Sequence, residues 1–273
     1  MSMISEILSY PLVVRALVGG ILVSLCCALL GVSLVLKRYS MIGDGLSHVG
    51  FGALAVAMAF HWAPLPVAIP VVVVAAFLLL RLSENSKIKG DSAIALIASS
   101  SLAIGVTVIS LASGQNADVY SYMFGSILAM KESDVYVSIA LSVVVLILFI
   151  VFYNKIFAVT FDENFAKATG TRANLYNMLI ALLTAVTIVV GMRIMGTMLI
   201  SSLIIFPALS AMRIFRQFRS VVIASAVISI ICFFIGLVAS YAFSTPTGAS
   251  IVIVNLIVFL LCFAAGLIRK KAA

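Results

Sequence analysis

A carboxylate and an imidazole stand four residues apart in an otherwise apolar stretch. They are Asp44 and His48 of Tyr39-Ser40-Met41-Ile42-Gly43-Asp44-Gly45-Leu46-Ser47-His48-Val49-Gly50-Phe51-Gly52. On a helix, positions i and i+4 project from one face, so a carboxylate oxygen and an imidazole nitrogen there can share one divalent cation. Imidazole suits transition metals, and the carboxylate adds hard character and offsets the cation's charge. Two ligands are few for a storage site but sensible for a transit site, because conduction requires that the ion can leave. Glycines 43, 45, 50 and 52 strip the same helix of bulk, permitting close helix packing or a narrow water-filled path. Three other readings stand beside this one: an Asp–His pair with no metal, a proton relay, and a pair facing water in the headgroup zone. Helical rise puts positions 44–48 only about 6–12 Å beyond residue 40.

The elements that must position this pair follow from composition. Of the 273 residues, 64% are apolar and only 10% charged, against about 45–50% and about 25% in a soluble domain. A water-soluble fold of this size could not hide so much apolar surface. Nine spans of about 20 residues use roughly 180 residues, which matches the apolar content. The expected fold class is therefore an all-α polytopic membrane protein, a single transmembrane unit over 1–273. Collagen, disulfide scaffold, disordered tail and soluble enzyme are excluded, and any energy source or capture module belongs to a separate protein. Glu6 before the first basic residue, Arg15, makes a poor signal-peptide start, so the first apolar run is expected to stay as a span.

Apolar runs place spans at roughly 14–36, 42–60, 64–82, 92–112, 134–153, 173–191, 194–212, 221–243 and 249–268. The turn between the sixth and seventh falls at Gly191-Met192-Arg193. With Lys37 and Arg38 in the cytoplasm, alternation leaves fourteen basic residues inside and three outside (Arg15, Lys131, Arg193). That asymmetry predicts the N-terminus out and the C-terminus in. Basic tracts lacking interleaved aromatics give no nucleic-acid surface.

Two segments are not simple spans. Residues 118–130 read as a short outer-face or re-entrant helix, which requires protein around it to satisfy its backbone. Residues 155–172 form the longest cytoplasmic loop. Thr160 and Glu163 have capping-box spacing, and Gly170 sits where a helix stops. A single short helix is expected at about 161–169, with Phe161 and Phe165 on one side, either docking a partner or lying on lipid.

The remaining candidates carry less. Cys26, Cys27, Cys232 and Cys262 have no CxxC spacing and read as buried thiols. Met192, Met195 and Met198 have thioether spacing for Cu(I) but read as core. His61 beside Trp62 reads as an interfacial anchor. No GxxxxGK[ST], HExxH or GxSxG is present, and Asp91, Asp118, Asp134, Asp162 and Glu163 fall at span edges or in loops. Nothing here reads as an enzyme.

Five collinear blocks carry a resemblance over essentially the full length. LLGVSLVLKRYSMIGDGLSHVGFGALA, DVYSYMFGSI, FDENFAKATG, MGTMLISSLIIFPALSAMRI and TPTGASIVI resemble, in order, motifs of the membrane-spanning permease subunit of ABC-type zinc/manganese importers. The resemblance implies a cobalamin-permease-like fold in the bacterial plasma membrane that works by alternating access. Two copies would form the pore, two separate ATPases would dock below, and an extracellular solute-binding protein would deliver Zn²⁺ or Mn²⁺. No permanently bound cofactor is implied, since the metal is cargo. Asp44 and His48 would contact the cation, with Gly43 and Ser47 lining the path. Asp162, Glu163, Phe165, Ala166 and Gly170 would belong to the helix coupling to the ATPase. Gly45 stands where many relatives carry Ala. An ABC permease for a metal chelate and a self-sufficient secondary transporter are the alternatives. The latter would be expected to carry more intramembrane ionisable groups.

Overall fold

Long apolar runs in a chain of this composition satisfy their backbone most cheaply as helices. The computed structural model, which describes residues 11–85, 90–112 and 132–272, is helical wherever it is regular. The elements are α1 (Pro11–Leu36), α2 (Ser40–Ala59), α3 (Pro64–Asn85), α4 (Gly90–Leu111), α5 (Glu132–Val151) and α6 (Tyr153–Phe161). They continue with α7 (Glu163–Ala168), α8 (Ala173–Met195), α9 (Thr197–Ile214), α10 (Phe218–Phe243) and α11 (Thr247–Ala272). Among the described residues, seven helices are long and apolar enough to cross a membrane, or eight if α5 and α6, bent by 69°, count as one span. The shorter apolar helix, Leu199–Ile214, lies within α9. The stretch expected to form a helix at 118–130 lies outside the described residues.

The core is shared by α1, α2, α3, α8 and α9, with Leu30, Leu46, Leu79, Ile188, Met192 and Ile200 among its fully buried side chains. Met192 and Met195 are thus core residues, and Cys26, Cys27 and Cys232 are buried free thiols, whereas Cys262, on the outward α11, is only half-buried. At the rim, α4 and α11 leave most of their apolar surface outward.

Helix α2 is deeply embedded because its glycines let three neighbours come close. A Cβ at Gly45 would lie 2.7 Å from Cγ2 of Ile94 on α4, and one at Gly43 would lie 3.1 Å from Cδ1 of Ile204 on α9. At Gly50 it would strike the Met192 thioether of α8. At Gly52 it would lie 2.7 Å from the Ser101 carbonyl oxygen, where α2 and α4 cross backbone to backbone beside Gly105.

Three local expectations change. The turn before α9 is not at Gly191, which continues α8 and abuts Ile200 and Val23. It is at Gly196, whose φ of 87° only glycine adopts freely. Thr160 does not cap the cytoplasmic helix, because it lies inside α6. Asp162 is the N-cap instead, its carboxylate accepting from the Phe165 amide at 2.9 Å. Phe161 and Phe165 therefore sit on two different helices, with Phe161 packed against Phe157 and Phe218. The stop at Gly170 is as expected: its φ is 81°. Its amide bonds to the Lys167 carbonyl and that of Thr171 to Ala166, the paired bonds of a Schellman ending.

Gly52→Ala should destabilise the protein by about 1–3 kcal/mol, since its new methyl meets a rigid backbone carbonyl. Gly50→Ala should cost clearly less, because the Met192 side chain can move aside. Thermal unfolding in detergent checks the order; equal losses would remove the backbone-contact explanation.

Candidate metal-transfer site

Helix α2 begins at Ser40, two residues earlier than the apolar pattern suggested, so Asp44 lies within the helix rather than at its mouth. Asp44 and His48 share one face, with Nε2 of His48 3.7 Å from Oδ2 of Asp44. The separation is too long for a direct hydrogen bond, which counts against a pair that merely satisfies itself. It is close to what one ion requires. Two donors each about 2.1 Å from a tetrahedral zinc stand about 3.4 Å apart. Both side chains remain open, His48 at 27% and Asp44 at 43% exposure. Among the described residues, no third His, Cys, Asp or Glu joins them.

Ser201 of α9 completes the local geometry by donating its hydroxyl to Oδ1 of Asp44 at 3.1 Å. One carboxylate oxygen is thereby held while the other faces His48. Nothing in the sequence distinguishes Ser201 from its neighbour Ser202, because the contact spans 157 positions. Gly43 and Ser47, expected beside the path, are buried in this structure. Ser47 is 1% exposed, and its hydroxyl donates to the Asp44 carbonyl at 2.7 Å. Neither lies on the open face that bears the pair: Gly43 admits Ile204, and the Ser47 hydroxyl is spent within the helix.

The residues expected at the cytoplasmic helix divide among its faces. Phe165 points outward at 65% exposure. Ala166 is fully buried against Val159 and Ala173, seating α7 on α6 and α8. Asp162 and Gly170 close its two ends. Glu163 turns inward, its Oε2 accepting from the Asn177 amide at 3.0 Å and lying 3.4 Å from the Lys37 ammonium. Its Oε1 takes Lys167 at 2.8 Å. Burial alone would raise the Glu163 carboxyl. Hydrogen bonds from Lys167 and Asn177 and the charges of Lys37 and Lys167 outweigh it and hold it at about 2, below its ordinary 4.5. The contribution of this carboxylate is therefore whole above about pH 4.5 and fades as pH falls toward 2. Lys37 also donates to the Asn177 side-chain oxygen. Lys37 had registered in the sequence only as topological charge, and Asn177 not at all.

The chain as a whole is similar to known proteins. The manganese transport system membrane protein MntC of Halalkalibacterium halodurans is 28% identical over 245 residues, covering 90% of this chain and 84% of that protein. The high-affinity zinc uptake system membrane protein ZnuB of Haemophilus influenzae is 29% identical over 242 residues, 88% and 92% of the two chains. In structure, a chain of PsaBC from Streptococcus pneumoniae, solved in complex with Fab, superposes with a TM-score of 0.85 at 29% identity. That match covers 96% of this chain and 95% of the other. The family described as the ABC 3 transport family matches residues 9–266. A transport permease rather than an enzyme, and a multi-pass protein of the bacterial inner membrane, the chain belongs to the ABC 3 transport family.

Proposed function

We propose that this chain is the membrane-spanning subunit of an ATP-driven importer that carries Mn²⁺ or Zn²⁺ inward by alternating access. The observation that carries the reading is the Asp44–His48 pair. It is a carboxylate and an imidazole at ligand-sharing distance on the open face of an embedded helix, in a chain whose relatives are named for manganese and zinc transport. Two donors per chain hold an ion weakly enough to release it. A second copy of the chain would bring the same two donors, and four suffice for a tetrahedral ion in transit.

The finer assignments follow from the same reading. The chain is one permease unit with nine spans, the seven long apolar helices together with α5 and the shorter α9. Its N-terminus lies outside and its C-terminus inside, supported by the fourteen-to-three sorting of basic residues. Two ATPase subunits dock at α7, where Phe165 offers an outward aromatic anchor and Asp162, Ala166 and Gly170 fix the helix that presents it. An extracellular solute-binding protein delivers the metal.

Reconstitution decides the transport class. With its ATPase, the wild-type chain should take up ⁵⁴Mn²⁺ or ⁶⁵Zn²⁺ into vesicles only when ATP is present. Flux by this chain alone, driven by a gradient, would overturn the reading. Asp44→Ala and His48→Ala should each abolish uptake while the ATPase still co-purifies; normal uptake in either variant removes the ligand assignment. Ser201→Ala should lower uptake by about ten-fold or more but leave a measurable rate, as expected when a ligand loses its supporting hydrogen bond.

A further inference from the structure

The network around Glu163 ties together three elements that the chain keeps apart: the C-terminal end of α1, the short α7 and the start of α8. Lys37 is 8% exposed in its side chain, burial that a lysine tolerates when its charge is paired. Asn177 is buried as well. Both oxygens of Glu163 are engaged, one toward Lys37 and Asn177 and the other toward Lys167. Glu163 therefore faces the body of the protein while Phe165, two residues on, faces away from it.

Lys37 also stands at the junction leading to the metal pair. Arg38 follows it with a φ of 61°, a left-handed conformation that is strained for a side chain of this size. The turn is locked by the Arg38 amide on the Val35 carbonyl at 3.1 Å and the Tyr39 amide on Leu34 at 2.8 Å. Helix α2 starts immediately after, at Ser40, and Asp44 lies about one turn inside it. A cavity of about 20 Å³, lined by Leu34, Lys37, Tyr39, Ile42 and Asn177 among others, borders the start of α2 beside the network.

We propose that Lys37, held between Glu163 and Asn177, is the link through which displacement of α7 reaches α2, and is thus a positioning residue for Asp44 and His48. The inference rests on the reading of α7 as the ATPase docking helix. Energetic coupling is carried by contiguous packed and hydrogen-bonded groups. Here the path runs from α7 through one half-buried ion pair into a locked turn, and from the turn directly into the helix that bears the ligands. The apolar seat of Ala166, on Val159 and Ala173, leads into α6 and α8.

The test uses the whole complex, permease with its ATPase and binding protein, in vesicles with Mn²⁺ as the probe. Lys37→Met should keep its ATPase subunits and continue to hydrolyse ATP. Mn²⁺ moved per ATP should fall by about five-fold or more, the lower range of coupling between distant sites. Asn177→Leu should show the same loss, and Lys37→Arg, which keeps the charge, should restore most of the ratio. A wild-type ratio in Lys37→Met overturns the link. So does loss of the ATPase from that variant, because the network would then only hold α7 in place. If Lys37→Met does not accumulate in the membrane, Asn177→Leu is judged by the same two criteria. Absence of ATP-dependent Mn²⁺ uptake in the wild-type complex is a separate failure, which overturns the importer reading and this inference with it.

Discussion

Everything that distinguishes this bundle depends on how closely other helices approach α2. A carboxylate and an imidazole are costly in a membrane unless they face protein or a polar path. The helix carrying them must therefore be wrapped on most sides and open on one. Four glycines make the wrapping possible. Ile94, Ile204, Met192 and the Ser101 carbonyl each stand where an added Cβ would intrude. The apolar neighbours bury the helix, and Ser201 supplies a side-chain hydrogen bond to the Asp44 carboxylate. Gly45 shows how tight the wrapping is. An Ala there requires Ile94 to shift, so the α2–α4 contact depends on this glycine.

The same economy governs charge. Among the seventeen basic residues, Lys37, where α1 ends, keeps a side chain only 8% exposed and 3.4 Å from the Glu163 carboxylate. Surface ion pairs contribute little. This one differs because Lys37 is buried, Asn177 shares both partners and Lys167 completes the carboxylate. A six-residue helix such as α7 cannot hold itself together in isolation. It is held by the Asp162 cap, the Schellman ending at Gly170, the Ala166 seat and the inward Glu163, which leaves Phe165 free to face outward.

What was legible in the sequence was what depends on local periodicity. Long apolar runs marked the spans because lipid leaves the backbone few alternatives. The i, i+4 spacing of Asp44 and His48 needed only helical geometry, and Gly170 announced a helix end through its freedom at positive φ. What was not legible depends on tertiary approach. Gly191 and Gly196 look alike as letters, yet one serves close packing and the other a turn, and only the positions of Ile200 and Val23 separate them. Ser201 and the Lys37–Glu163–Asn177 network join residues more than a hundred positions apart except for the Glu163–Asn177 step. The capping error was a finer one. Thr160 and Asp162 both offer an oxygen near the start of α7, and the chain used the one at which α6 breaks into extended backbone.

The two ends of α2 then have different requirements, and the structure meets them by different means. Around Gly50 and Gly52 the helix is fixed by backbone contact with α4 and by the Met192 side chain, which favours one position. At Ser40 it enters from a turn held by backbone hydrogen bonds, beside the Lys37–Glu163 pair and a small cavity. In the proposed importer, a pivot about the glycine crossing would carry Asp44 and His48 together, since both lie on the side of Gly50 toward Ser40. Their 3.7 Å spacing would be preserved during the movement, while the direction in which the open face points would change. That is the property alternating access asks of a transit site: ligands that stay paired while the solvent they face is exchanged.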